Sequence, residues 1–108
     1  MPESAWTRLI AAADCPIDTG RYVERDGVEF AVFHLSDPDR FVVTRNSCPH
    51  AGGNLSAGPV AHGAVTCPWH HWTFDLGTGR CTLSDRVELR RYSCEIRDGW
   101  IWADLSPT

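Results

Sequence analysis

The chain has 108 residues, 43% of them hydrophobic and 22% charged, with 14 acidic residues against 10 basic and a net charge of −4. This is the length of one domain, residues 1–108, with a modest core that a metal staple would support. The acidic balance argues against a nucleic-acid partner, no apolar run is long enough to cross a bilayer, and the odd number of cysteines, five, fits poorly with a disulfide framework.

The start, MPESAWTRLIAAAD, lacks a basic stretch followed by a long apolar run. The expectation is therefore no export signal and a reducing cytoplasm, where paired cysteine motifs more often bind metal. Residues 8–14 are the one segment that reads as a helical turn or two. Asp26-Gly27 then signals a hairpin turn. Phe30-Ala31-Val32-Phe33 is a continuous apolar run, as in a strand buried on both faces. Ser36-Asp37-Pro38-Asp39 is a turn cluster, and Phe41-Val42-Val43-Thr44 is of strand type.

Residues 46–59, NSCPHAGGNLSAGP, are too polar and too broken for a strand and read as a glycine-rich loop. A second loop, Pro68 to His71, leads into Trp72-Thr73-Phe74-Asp75, a further strand, and Leu76 to Gly79 turns the chain again. Val87 and Leu89 alternate with polar residues. Tyr92, Cys94 and Ile96 do so in the opposite phase, so a bulge or break is expected at Arg90-Arg91. After the Asp98-Gly99 turn, Trp100 and Trp102 share one face, and Ile101, Ala103 and Leu105 the other. Short strands with turns every ten residues or so make an all-β antiparallel sandwich or barrel.

The two loops hold the chemistry. Cys48-Pro49-His50 is followed, after a sixteen-residue gap, by Cys67-Pro68-Trp69-His70. Thiolate and imidazole suit zinc, copper or iron. A common zinc finger takes two cysteines from one piece of chain and two histidines from another. Here each loop supplies one of each, an order that suits a cofactor with two metal atoms, one bound by two thiolates and the other by two imidazoles.

At these residues the sequence resembles the Rieske 2Fe-2S family, in which two histidines replace two cysteines on one iron. Its C-x-H and C-x-x-H pattern matches Cys48, His50, Cys67 and His70, and residues 51–58 and 72–79 resemble the surroundings in small bacterial members. The resemblance implies a Rieske-type fold with a cluster-binding subdomain of two loops. It also implies a 2Fe-2S cluster held by Cys48 and Cys67 on the inner iron and by His50 and His70 on the outer. His70 is preferred to His71 on spacing. His71 stands where glycine is common in the family; it is either an exposed loop residue or one that touches a partner. His34 and His62 read as structural or surface groups. Cys15, Cys81 and Cys94 lack ligand spacing and read as small buried residues.

High-potential members carry a further cysteine in each loop, joined as a disulfide, and a serine and a tyrosine after the second loop that donate hydrogen bonds to sulfur. Gly52, Trp69, Trp72 and Phe74 stand at those positions here. The departures imply a low-potential cluster. Trp69 and Trp72 flank His70 and either pack the loop against the sheet or form an apolar rim for a docking partner; both can hold at once.

The family resemblance, with no other catalytic motif in the chain, implies a soluble ferredoxin in the cytoplasm. It would be an electron-transfer component without a catalytic site of its own. Electrons would pass from a flavin or NAD(P)H-dependent reductase to a terminal oxygenase or reductase, with no nucleic acid and no membrane involved. Two alternatives stay open: the small subunit of an NAD(P)H-dependent nitrite reductase, and a β-domain stapled by structural zinc on the same four ligands.

Overall fold

The computed structural model describes residues 6–36, 39–46, 54–68, 72–82 and 87–105. Among these residues ten strands form three antiparallel sheets. These are β1 (Trp6–Ala11), β2 (Thr19–Arg25), β3 (Val28–Leu35), β4 (Arg40–Arg45), β5 (Val60–Ala61), β6 (Ala64–Thr66), β7 (Thr73–Asp75), β8 (Arg91–Tyr92), β9 (Cys94–Arg97) and β10 (Trp100–Asp104). One sheet runs β1-β10-β9, a second β2-β3-β4-β8 and a third β5-β6-β7. The all-β antiparallel expectation holds.

β3 is the wall between two hydrophobic cores. Successive side chains of a strand point to opposite faces. Ala31, Phe33 and Leu35 therefore join the core under the small third sheet, with Val65, Phe74 and Leu55. Val32 joins the other core, with Leu9, Val23, Ile101 and Ala103. β4 repeats the division, Val42 in the first core and Val43 in the second. The continuous apolar run at 30–33 is thus buried on both faces, as a central strand should be.

The same division explains the change of phase near the end of the chain. Leu89 lies in the first core, with Val87 packed against it, whereas Tyr92 and Cys94 pack on the second. Arg91 and Tyr92 pair with Thr44 and Val43 of the second sheet, and Cys94 pairs with Ala103 of the first. The expected break is a switch of core, and the change of sheet follows at Ser93.

The hairpin turns follow local chemistry. Asp26-Gly27 and Asp98-Gly99 have positive φ at both residues, as a type I′ turn requires. His62-Gly63 does the same between β5 and β6, so His62 is an exposed turn residue. Of the Ser36–Asp39 turn cluster, residues 37 and 38 lie outside the described residues.

One reading is corrected. Residues 8–11 belong to a strand, and only Ala12–Asp14 forms a short 3₁₀ turn. Pairing with β10, about ninety residues downstream in the sequence, overrides the local helical pattern. A bulge between Arg8 and Ile10 makes Leu9 the extra residue and coincides with its burial. Arg25 serves that bulge, its Nε donating to the Arg8 carbonyl at 3.1 Å and an Nη to the Leu9 carbonyl at 2.6 Å.

Candidate metal centre

Both candidate ligand loops are tied at their feet. Asn46 follows β4 directly and is buried, with only 4% of its surface exposed. Its N–H donates to the Glu29 carbonyl at 3.0 Å, and its own carbonyl accepts the Leu55 N–H at 2.9 Å. Its side-chain Oδ1 accepts the Ser56 N–H, also at 2.9 Å. One residue thus joins the start and finish of the first loop. Leu55 opens a 3₁₀ turn, Leu55–Ala57, and is fully buried in the first core.

The second loop leaves the β6–β7 hairpin. Thr66 and Thr73 are the last ladder pair, their hydroxyls 3.2 Å apart. One step further, the Cys67 N–H donates to the Trp72 carbonyl at 2.7 Å and closes the loop.

The two loops also meet. The Thr66 N–H donates to the Pro59 carbonyl at 3.0 Å. Gly58 sits against the Thr66 carbonyl, where a side chain would collide. The chain leaving the first loop is therefore packed on the residue that precedes Cys67.

Of the four candidate ligands, Cys67 falls within the described residues. It is fully buried in the first core beside residues such as Leu55 and Phe74. A bare thiolate is poorly stabilised in such apolar surroundings, whereas a metal-bound one has its charge compensated on the spot. A donor set of two thiols and two imidazoles on two adjoining loops fits a mixed-ligand 2Fe-2S cluster. Cys48, His50 and His70 lie outside the described residues, as do Gly52, Trp69 and His71.

Trp72 is partly buried and packs on the first core, and Phe74 is fully buried within it. Neither carries a hydroxyl. For Trp72 the packing role is thus the one observed, while a rim role remains compatible with its partial exposure. Sequence reasoning does not single out Asn46, Leu55 or Gly58. The available signals were the Asn that opens the ligand loop and the Gly58-Pro59 pair that closes it.

Of the remaining cysteines Cys15 and Cys81 are buried, as expected, and Cys94 is partly buried. Cys15 is fully buried and donates its thiol to the Val32 carbonyl at 3.6 Å. Cys81 is buried, and Cys94 packs on the second core. The His34 ring stacks on Phe41, and its nitrogens face the Cys15 carbonyl at 2.7 Å and the Asp39 carboxylate at 2.5 Å. Among the described residues no helix is long and apolar enough to cross a membrane.

Comparison with known proteins points the same way. The family model described as Rieske [2Fe-2S] domain matches residues 5–93. Ferredoxin CarAc of Metapseudomonas resinovorans is 30% identical over 99 residues, covering 90% of this chain and 91% of that protein. A solved complex of reduced oxygenase and oxidized ferredoxin in carbazole 1,9a-dioxygenase contains a chain that superposes with a TM-score of 0.81 at 28% identity, covering 94% of both chains. A Mycobacterium tuberculosis protein described as an NADH-dependent nitrite reductase small subunit gives a TM-score of 0.86 at 24% identity, over 99% of this chain and 100% of that one, a likeness of fold. The chain spans only 24% and 21% of two other curated relatives, a cholesterol 7-desaturase of Hemicentrotus pulcherrimus and a methylxanthine N1-demethylase of Pseudomonas putida.

Proposed function

The chain belongs to the Rieske [2Fe-2S] domain family, and from that premise we propose that it is a one-electron carrier of the ferredoxin type, passing electrons from a reductase to an oxygenase. Its cofactor is a Rieske-type 2Fe-2S cluster. Cys48 and Cys67 would hold one iron through thiolates, and His50 and His70 the other through imidazole nitrogens. When bound, the cluster supplies a one-electron couple.

The protein's own residues do the positioning. Asn46 holds the first loop at its base, the Cys67–Trp72 hydrogen bond closes the second, and Gly58 sets one against the other. The apolar core around Cys67 keeps water from that thiolate.

The observation that carries the ferredoxin reading is the match, nearly end to end, with a ferredoxin of similar length. The oxygenase complex containing a similar ferredoxin supports the partner class. The same reading takes residues 1–108 as one domain and places the protein in the cytoplasm beside a flavin or NAD(P)H-dependent reductase. A second reading, the small subunit of a nitrite reductase, has the support of the fold likeness.

The test is low-temperature EPR of anaerobically purified protein reduced with dithionite. A rhombic signal of low average g, as mixed Cys/His ligation gives, is expected, and Cys67→Ser should abolish it. A folded protein that binds zinc and gives no such signal would remove electron transfer. Co-purification with a large sirohaem-containing subunit would favour the second reading over the first.

A further inference from the structure

A cavity of about 260 Å³ lies at the end of the second sheet, and three arginines, Arg25, Arg45 and Arg90, line it. Their gathering is at odds with the chain as a whole, whose net charge is −4. One carboxylate, that of Asp26, shares the lining, so the pocket carries three positive charges against one negative, a balance of +2. Among the described residues no carboxylate pairs with any of the three; the two ion pairs present are His34–Asp39 and Arg97–Glu95.

The three side chains are not equivalent. Arg25 is anchored, its nitrogens donating to the carbonyls of Arg8, Leu9 and Glu24. It contributes charge more than spare donors. Among the described residues the Arg45 guanidinium donates through its Nε, to the Tyr92 hydroxyl at 2.8 Å. Arg90 lies over the Tyr92 ring, its Cζ 5.0 Å from the centroid, and among the described residues its guanidinium donates no hydrogen bond. Two guanidinium forks whose terminal nitrogens have no hydrogen-bond partner among the described residues thus flank one phenol. Their planar geometry matches the two oxygens of a carboxylate. Val28, Leu105 and the face of Tyr92 give the cavity an apolar wall.

We propose that this pocket binds a small organic carboxylate, its oxygens on Arg45 and Arg90 and its apolar body against Val28, Tyr92 and Leu105. Pockets of this kind pair an apolar lining with a few convergent polar groups that fix orientation. None of the lining residues is a candidate cluster ligand, and Arg45 stands one residue before Asn46 at the base of the first ligand loop. Its occupancy does not depend on the redox reading.

The experiment is isothermal titration of the full-length, cluster-loaded protein with benzoate, and in parallel with benzyl alcohol, which has the same ring without the charge. Saturable binding of benzoate is expected, with benzyl alcohol at least about tenfold weaker. Arg45→Gln and Arg90→Gln should each weaken benzoate by about tenfold. Arg97→Gln, on another face, should leave it unchanged. Melting temperatures of the variants report whether they remain folded, and both arginines are exposed positions. The proposal is overturned if benzoate gives no saturable heat, if benzyl alcohol binds equally well, or if folded Arg90→Gln binds like the unaltered protein.

Discussion

A Cβ placed on Gly58 would stand 2.1 Å from the carbonyl oxygen of Thr66, a distance no real side chain can take. The contact joins the chain leaving the first ligand loop to the residue just before Cys67. It is where the two loops, with the short β5–β6 hairpin between them, are packed together.

Gly58→Ala should therefore damage the site more than its size suggests. Forcing a methyl into a packed contact costs about 1–3 kcal/mol, and here the displaced atoms are backbone. Gly27→Ala is the control, since nothing lies within 4 Å of its Cβ position and only its φ of +79° is strained. Urea unfolding and iron content per chain measure both. Full iron loading in Gly58→Ala at unaltered stability would show that the contact does not hold the loops together.

Asn46→Ala should lower stability by about 1 kcal/mol or more, because the part-buried Ser56 N–H loses the acceptor that the buried Asn46 supplies. Asn46→Asp keeps an oxygen in the same place and should restore much of the loss. Cluster retention on dilution, followed by visible absorbance, should rank unaltered protein above Asp and Asp above Ala. Equal retention in all three would make Asn46 a bystander.

The reduction potential should fall in the lower part of the Rieske range, nearer about −150 mV than +300 mV. Trp72 and Phe74 offer no hydroxyl to a cluster sulfur, and both pack on or within the first core. A reduced cluster carries more negative charge and is favoured by donors, so their lack lowers the potential. Potentiometry on the loaded protein decides, and a clearly positive high midpoint would contradict the reasoning.

Stability should fall on the alkaline side. Burial pushes the thiols of Cys15 and Cys94 above the ordinary range. The folded state then holds these protons where the unfolded chain releases them, so unfolding is favoured as pH rises past about 8.5. Below that value both states are protonated and the effect vanishes. Cys15→Ala with Cys94→Ala should flatten this alkaline limb in unfolding curves, whatever it does to stability at neutral pH. An unchanged slope would assign the limb to other groups.

Arg97 lies over two indoles, its Cζ 5.0 Å from the Trp6 ring and 5.1 Å from that of Trp102. Arg8 covers Trp100 in the same way, at 4.5 Å. An exposed cation–π contact contributes roughly 0.5–1 kcal/mol, so Arg97→Ala should lose about 1 kcal/mol for its two contacts together. Arg97→Lys should lose less. Thermal melts measure both, and an Arg97→Ala variant as stable as the unaltered protein would make the stacking incidental.

Much of the fold was legible because its signals are local. Asp26-Gly27 and Asp98-Gly99 turn where their residues tolerate positive φ, and the 30–33 run is apolar because both faces of β3 are covered. The change of phase at Arg90-Arg91 was visible, although its meaning, a passage from one core to the other, was not. The ligand spacing could be read because it resembles the C-x-H and C-x-x-H pattern of the family, and the assignment of Cys48, His50, Cys67 and His70 is a proposal. The stretch 8–11 was misread because a strand paired about ninety residues away leaves no trace in its own neighbourhood.

By itself, then, the sequence determined the turns and most of the strand types, each a property of residues a few positions apart, and made the donor set an expectation. Tertiary structure alone decided that β1 is a strand, that β3 divides two cores, that Asn46 and Gly58 hold the loops, and that Arg25, Arg45 and Arg90 share one cavity. The physical reason is common to all four. Each depends on contacts between residues that are not neighbours in the chain, and only the packed molecule sets which of them meet.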